Sequence, residues 1–219
     1  MTQHLEIQHC GETLWLLPDK ALYWPARRAL LVADVHLGKA ASYRALHQPV
    51  PRGTTDATLA RLDALLAAHD CQQLIILGDF LHARPARAPA IVAKLKAWRQ
   101  RHAPLRIVLV RGNHDRHAGD PPAELNIDVQ DQPWLQEPFA LQHEPASNST
   151  HPVIAGHVHP AFILRGKGRQ RLRLPCFLIE DKVSLLPAFG EFTGGWNVEP
   201  DAATRVFLAG AERVWAVQR

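Results

Sequence analysis

Short apolar runs at residues 29–33, 74–77, 105–110, 139–141 and 152–155 each give way to a polar, metal-competent side chain within a few positions. Runs this short have the length of buried strands rather than helices. Upstream of the first, residues 5–9, a turn at Gly11-Glu12, and residues 13–17 and 21–24 predict a β meander feeding the strand at 29–33. Residues 35–53 lack a clear period and carry Pro49, Pro51 and Gly53, which predicts a long loop of the kind compact domains keep for function. Thr54-Thr55-Asp56 offers N-caps for a helix with Leu59, Leu62, Leu65 and Leu66 at helical spacing up to Asp70. Pro89 opens a second helix with Ile91, Leu95 and Trp98 on one face, closed before Pro104.

Beyond Asn113 the pattern changes to short strands broken by proline: 127–129, 134–135, 139–142, 152–155, a hairpin over 162–173 folded at Gly166-Lys167-Gly168, then 177–179, 183–186, 205–208 and 213–217. Strand-rich halves with helices between some strands predict an α/β fold of two packed sheets with helices outside. No Gly/Ser linker, charge block or internal repeat divides the chain, so one domain over residues 1–219 is expected.

Composition adds three constraints. No window holds 18 consecutive apolar residues and the first residues lack the basic and apolar regions of a signal peptide, so a soluble cytoplasmic protein is expected. Cys10, Cys71 and Cys176 are odd in number and widely spaced, which argues against a disulfide framework or a thiolate zinc site. The net charge of +4 leans weakly towards polyanionic partners, whereas the 13 histidines are a stronger deviation.

Six of those histidines fall in the motifs that end the apolar runs: Asp34-Val-His36, Gly78-Asp79-Phe-Leu-His82, Gly112-Asn113-His114-Asp115, His143 and Gly156-His157-Val-His159. Any one arises easily by chance; five at successive strand ends can converge on one point. Asp34, His36, Asp79, Asn113, His143, His157 and His159 are too many ligands for one ion. Two divalent ions sharing a bridging carboxylate, for which Asp79 is the natural choice, would use them and would suit displacement at phosphorus. Oxygen and imidazole donors without thiolate favour manganese, with iron or zinc as alternatives. A hydroxide held between the ions would be the nucleophile, and His114, oriented by Asp115, would be the general acid. His143 has a competitor in His151, but His143 follows an apolar run whereas His151 precedes one.

In content and order these five motifs resemble the calcineurin-like metallophosphoesterase superfamily. The resemblance implies a four-layer αββα sandwich with a dinuclear site. It implies one metal held by Asp34, His36, Asp79 and His159, the other by Asp79, Asn113, His143 and His157, and His114 as the acid. The stretches at 33–44, 175–177 and 186–195 are similar to those of the bacterial ligase-associated DNA damage response endonuclease subfamily. That likeness spans nearly the whole chain. It implies a metal-dependent phosphodiesterase acting on DNA in repair, linked with a DNA ligase, a DEAD/DEAH-box helicase and an exonuclease. Hydrolysis of a small phosphoester, or a non-catalytic subunit of a repair complex, are the competing functions.

Residues outside the ligand set bear on substrate. His82 resembles the histidine closing the equivalent motif in DNA-repair nucleases of the superfamily, and Arg44 and Arg116 follow the first and third motifs closely enough to hold a substrate phosphate. Arg165, Lys167, Arg169, Arg171 and Arg173 alternate with neutral residues, so those on each arm of the hairpin would share a face suited to DNA phosphates or to a charged sheet edge. Phe189, Phe192 and Trp196 are read as packing residues, with stacking on an exposed base as the alternative.

Overall fold

The computed structural model describes residues 3–218 except Arg52 and Ser149, leaving Met1, Thr2 and Arg219 at the termini outside it. Its first sheet runs in chain order, β1 (Leu5–His9), β2 (Glu12–Leu17), β3 (Ala21–Trp24), β4 (Ala29–Ala33), β5 (Gln73–Leu77), β6 (Arg106–Val110) and β7 (Asp128–Gln130). Pairing is antiparallel up to β4, as connections of two to four residues permit, and parallel from β4 to β7, where helices make the return crossings.

The second sheet comprises β8 (Trp134–Gln136), β9 (Phe139–Leu141), β10 (Val153–Ala155), β11 (Pro160–Arg165), β12 (Arg171–Ile179), β13 (Val183–Leu185), β14 (Trp196–Asn197), β15 (Arg205–Ala209) and β16 (Val214–Ala216). Here β9, β10 and β13 are parallel neighbours, while β12 pairs with β11 along its first half and with β15 along its second. The expected strand at 177–179 is therefore the far end of one long strand, which passes through Pro175 without breaking.

Alternation along β4 shows how the layers form. Leu30 and Val32 point to a core shared with Leu59, Leu62 and Leu65 of α2 (Thr54–Ala68; α1 is Lys39–Ala45) and with Leu95 and Trp98 of α3 (Pro89–Arg101). Leu31 and Ala33 point the other way, to a core closed by Phe139, Ile154, Phe177 and Phe207 of the second sheet. β4 is buried on both faces, which explains its unbroken apolar sequence.

The layered sandwich is present, with unequal helical layers. All α-helices among the described residues precede residue 119, the last being α4 (Asn113–Ala118). On the outer face of the second sheet, Cys176, Leu178, Val206 and Leu208 are covered in part by Val198 and Val217 from non-helical segments. No described helix is long and apolar enough to cross a membrane.

Two short helices were not expected. The supposed loop at 35–53 contains α1, seven residues long and started by Gly38 in the left-handed conformation at φ 75°. Its Lys-Ala-Ala-Ser-Tyr-Arg-Ala sequence favours helix but is too short to show a period. α4 begins on a candidate metal ligand and is capped by Asp115, whose carboxylate accepts the Gly112 N–H at 2.9 Å.

Phe177 is fully buried between the sheets. Phe177→Ala should therefore lower stability by about 3–5 kcal/mol in chemical denaturation, the range typical of a phenylalanine removed from a close-packed core.

Candidate metal centre

Because β4, β5 and β6 are parallel neighbours, their C-terminal ends share one edge of the first sheet. Asp34 follows β4, Asp79 follows β5 after Gly78, and Asn113 follows β6 after Arg111-Gly112. From the facing sheet His143 follows β9, His157 follows β10, and His159 immediately precedes β11. Residues 186–190 stitch the two edges together: Leu186 N–H donates to Ala155, and Phe189 and Gly190 N–H donate to Ala33 and Asp34.

The backbone turns sharply at these positions. Asp34, His36, Asp79, His157 and His159 all have positive φ, between 48° and 69°. Side-chain-bearing residues rarely adopt this region, and such strain concentrates at functional sites. The intervening glycines make room. A Cβ on Gly156 would lie 2.7 Å from Asp34 Oδ2, and one on Gly78 or Gly112 would collide with the His143 ring or with Asp79 Oδ1 respectively.

All seven expected ligands are brought together. His143 Nε2, His157 Nδ1 and Asn113 Oδ1 form a triangle with sides of 2.8, 3.0 and 3.1 Å. His143 Nδ1 is 3.1 Å from the Leu77 carbonyl, which fixes the proton there and leaves Nε2 a lone pair. In that tautomer the lone pair faces the Asn113 side-chain oxygen at 2.8 Å, an arrangement that a shared cation would complete. On the other side, Asp34 Oδ1 is buried with no hydrogen-bond donor among the described residues, 3.3 Å from His159 Nε2. Asp79 faces both groups: Oδ1 is 3.5 Å from His143 Nε2 and Oδ2 is 3.7 Å from His36 Nε2.

Two buried carboxylates with imidazoles turned towards them and an unsatisfied oxygen between fit divalent cations. Asp34, His36 and His159 lie close enough together to hold one ion, as do Asp34, Asp79 and His143. Burial pushes the Asp79 carboxyl up, with His143 acting in the opposite sense, and burial together with nearby Lys39 pushes His36 strongly down. The imidazole is therefore held neutral, the form that binds metal.

His114 stands beside this cluster rather than within the triangle. Its Nδ1 is 2.7 Å from the His82 carbonyl, its Nε2 is 3.9 Å from Asp79 Oδ2, and its backbone N–H donates to Asp79 Oδ1 at 2.9 Å. The expected contact with Asp115 is not made. Asp115 is buried and its carboxylate accepts the N–H groups of Gly112, Asp79, Phe80 and Leu81, so it ties α4 to the turn carrying Asp79. Burial raises its carboxyl to about 6 against the lowering effect of those donors. The His82 carbonyl takes over the orienting role.

The other candidates are placed as follows. His82 Nδ1 is 3.2 Å from His36 Nδ1, and its ring stacks on His114 at 4.9 Å; burial, with Lys39 and His114, lowers it to about 4. His36, His82 and His114 also lie within shared reach of one ion. Arg44 is exposed on α1 with its guanidinium bonded to the Pro51 carbonyl, and Arg116 is exposed on α4. His151 is paired with Glu137 at 2.9 Å, away from the centre. Phe189 is core, as expected, but Phe192 and Trp196 are 45% and 72% exposed. Sequence reasoning missed Lys39, whose half-buried ammonium interacts with Asp34 and Asp79, and Tyr43, which stacks on His82 at 6.0 Å. Both sit in α1, where no hydrophobic period drew attention to them.

Aspartates and histidines gathered at the strand ends of a two-sheet sandwich define a metal-dependent phosphoesterase. The model of the calcineurin-like phosphoesterase family matches residues 27–175, and the chain belongs to that family. A crystal structure of the nuclease MPE from Pseudomonas putida is similar at 66% identity over 98% of this chain and 100% of that one, with a TM-score of 0.88. The protein of unknown function AQ665 from Aquifex aeolicus is a distant likeness, with 20% identity, a TM-score of 0.41, and coverage of 64% of this chain and 82% of that one. No curated protein matches the chain.

Asp115→Ala would leave four N–H groups without their acceptor. Each orphaned donor costs on the order of 1–3 kcal/mol, so the variant should melt well below the parent and lose amide-exchange protection at residues 79–81 first.

Proposed function

We propose that the protein is a nuclease that hydrolyses phosphodiester bonds in DNA at a dinuclear centre, with manganese as the working metal. The observation that carries this reading is the lone-pair contact between His143 and Asn113 beside the unsatisfied oxygen of Asp34, in a chain 66% identical to a nuclease. Asp34, His36, Asp79 and His159 would hold one ion and Asp79, Asn113, His143 and His157 the other. When bound, such ions polarise a phosphoryl oxygen and lower the pKa of water towards neutrality.

The chain's own residues then have distinct tasks. With Nδ1–H committed to the His82 carbonyl, His114 presents Nε2 to the site, from which it would give a proton to the departing oxygen. His82, stacked on His114 and packed against His36, limits how that ring can turn. Lys39 adds a positive charge beside Asp34 and Asp79 that favours an anionic substrate. Arg116, and Arg44 once it leaves the Pro51 carbonyl, would hold a phosphate as bidentate partners. A place in DNA repair beside a ligase, a helicase and an exonuclease follows from the subfamily resemblance and is part of the proposal.

The test loads metal-free protein with manganese and compares bis-p-nitrophenyl phosphate, the corresponding monoester, and single-stranded, duplex and nicked DNA. Cleavage of the diester and of DNA is expected; turnover of the monoester alone would sink the nuclease reading, and inactivity with both ions verified in place would favour a binding subunit. His114→Ala should keep both metals and lose on the order of 10²–10⁴ in kcat, the usual worth of a general acid. Asp79→Asn should lose metal itself, measured by metal analysis after dialysis. Loss of metal from His114→Ala would overturn the role given to it.

A further inference from the structure

Next to His159 the protein has a partly open cavity of about 90 Å³ whose lining includes Lys20, Arg173, Thr193, Gly194 and Gly195. It is far smaller than the roughly 300–1,000 Å³ of pockets that bury a drug-sized ligand. A volume of this order suits a group the size of a tetrahedral oxyanion better than a nucleobase with its sugar.

Two cations, Lys20 and Arg173, stand in its lining among the apolar Pro160, Ala161, Leu174, Pro175 and Ala188. Lys20 sits at the turn between β2 and β3 in the left-handed conformation, φ 65°, and among the described residues its ammonium makes no hydrogen bond. Burial and the charge of Arg61 push it down to about 8, despite Glu191 and Asp19 nearby. Glu191 is engaged by Arg61, which also donates to the Phe189 carbonyl. Arg173 is held in place by Nε donating to Asn197 Oδ1 at 2.6 Å and by one terminal nitrogen donating to the Gly195 carbonyl. Its other terminal nitrogen has no partner among the described residues, and neither have the backbone N–H groups of Gly194 and Gly195. Two unpartnered backbone amides beside the Lys20 ammonium and the fixed Arg173 guanidinium offer an anion several donors.

The cavity also has an approach. Arg165 pairs directly with Arg171 across the β11–β12 hairpin, and Arg173 follows two residues on, so these three share one face. The face runs from the exposed tip of the hairpin to the cavity, and the cavity shares His159 with the metal centre.

We infer that the Lys20–Arg173 cavity is a subsite for a non-scissile phosphate of the nucleic-acid strand, the one next to the bond being cut, with Arg171 and Arg165 carrying the strand onward. This inference rests on the nuclease reading above and deepens it. It makes the enzyme a reader of at least two phosphates, so that a one-phosphate substrate gains nothing from the subsite.

The experiment uses the manganese-loaded full chain, short single-stranded oligonucleotides and bis-p-nitrophenyl phosphate. Lys20→Gln and Arg173→Gln should each lower the ratio of kcat/KM on the oligonucleotide to that on bis-p-nitrophenyl phosphate by at least about tenfold, as loss of a charged hydrogen bond implies. The change should fall in KM, and the dependence of log KM on log salt should shrink by about 0.7, the single-strand value for one phosphate contact. In the parent enzyme, replacing one flanking phosphate by an uncharged methylphosphonate should produce the same loss, and the two losses should not add when combined.

Equal effects of the variants on both substrates would mark the residues as structural and overturn the inference. So would a parent enzyme indifferent to methylphosphonate at either flanking position, an outcome that needs no variant to fold. Both results leave the nuclease reading standing. A parent enzyme that cleaves bis-p-nitrophenyl phosphate but no oligonucleotide would instead overturn the nuclease reading, and the subsite with it.

Discussion

Two carboxylates buried side by side are the constraint on which the rest of the structure depends. Asp34 and Asp79 are 0% and 2% exposed, and Oδ1 of Asp34 has no hydrogen-bond donor among the described residues. Charges removed from water in this way are costly unless they are paired. The groups turned towards them are chiefly imidazoles, one of which already spends its N–H on the Leu77 carbonyl. Cations complete the arrangement, and the fold can be read as the means of holding these groups ready for them.

Several local features serve that end. Parallel pairing of β4, β5 and β6 delivers Asp34, Asp79 and Asn113 at one edge, while β9 and β10 deliver His143 and His157 from the facing sheet. Left-handed turns at five of the seven candidate ligands aim the side chains inward, and glycines at 78, 112 and 156 allow the chains to approach. Asp115 stabilises the turn after β5 by accepting four backbone N–H groups, work done at a distance from the reacting atoms. Close packing of the two cores makes this edge rigid.

Much of this was legible in the sequence because strand ends and ligand types coincide. The apolar runs before Asp34, Asp79, Asn113, His143 and His157 became β4, β5, β6, β9 and β10 within a residue or two. What escaped was whatever depended on pairing across space. The short helix at 39–45 has no period to reveal it, so Lys39 and Tyr43 went unseen beside the centre. Adjacency in sequence suggested that Asp115 orients His114, whereas helix geometry turns the two side chains apart and gives that task to the carbonyl of His82. The unequal helical layers were equally invisible, since apolar strand residues look alike whether a helix or an extended segment covers them. The basic alternation at 165–173 was visible, but its meeting with Lys20, about 150 residues away in the chain, required the fold.

The central claim is that the buried carboxylates exist to hold two cations, and calorimetric titration of the metal-free protein with manganese tests it most directly. The account predicts two ions bound per chain and a rise in melting temperature as the sites fill. A stoichiometry below two, or binding that leaves the melting temperature unchanged, would contradict it.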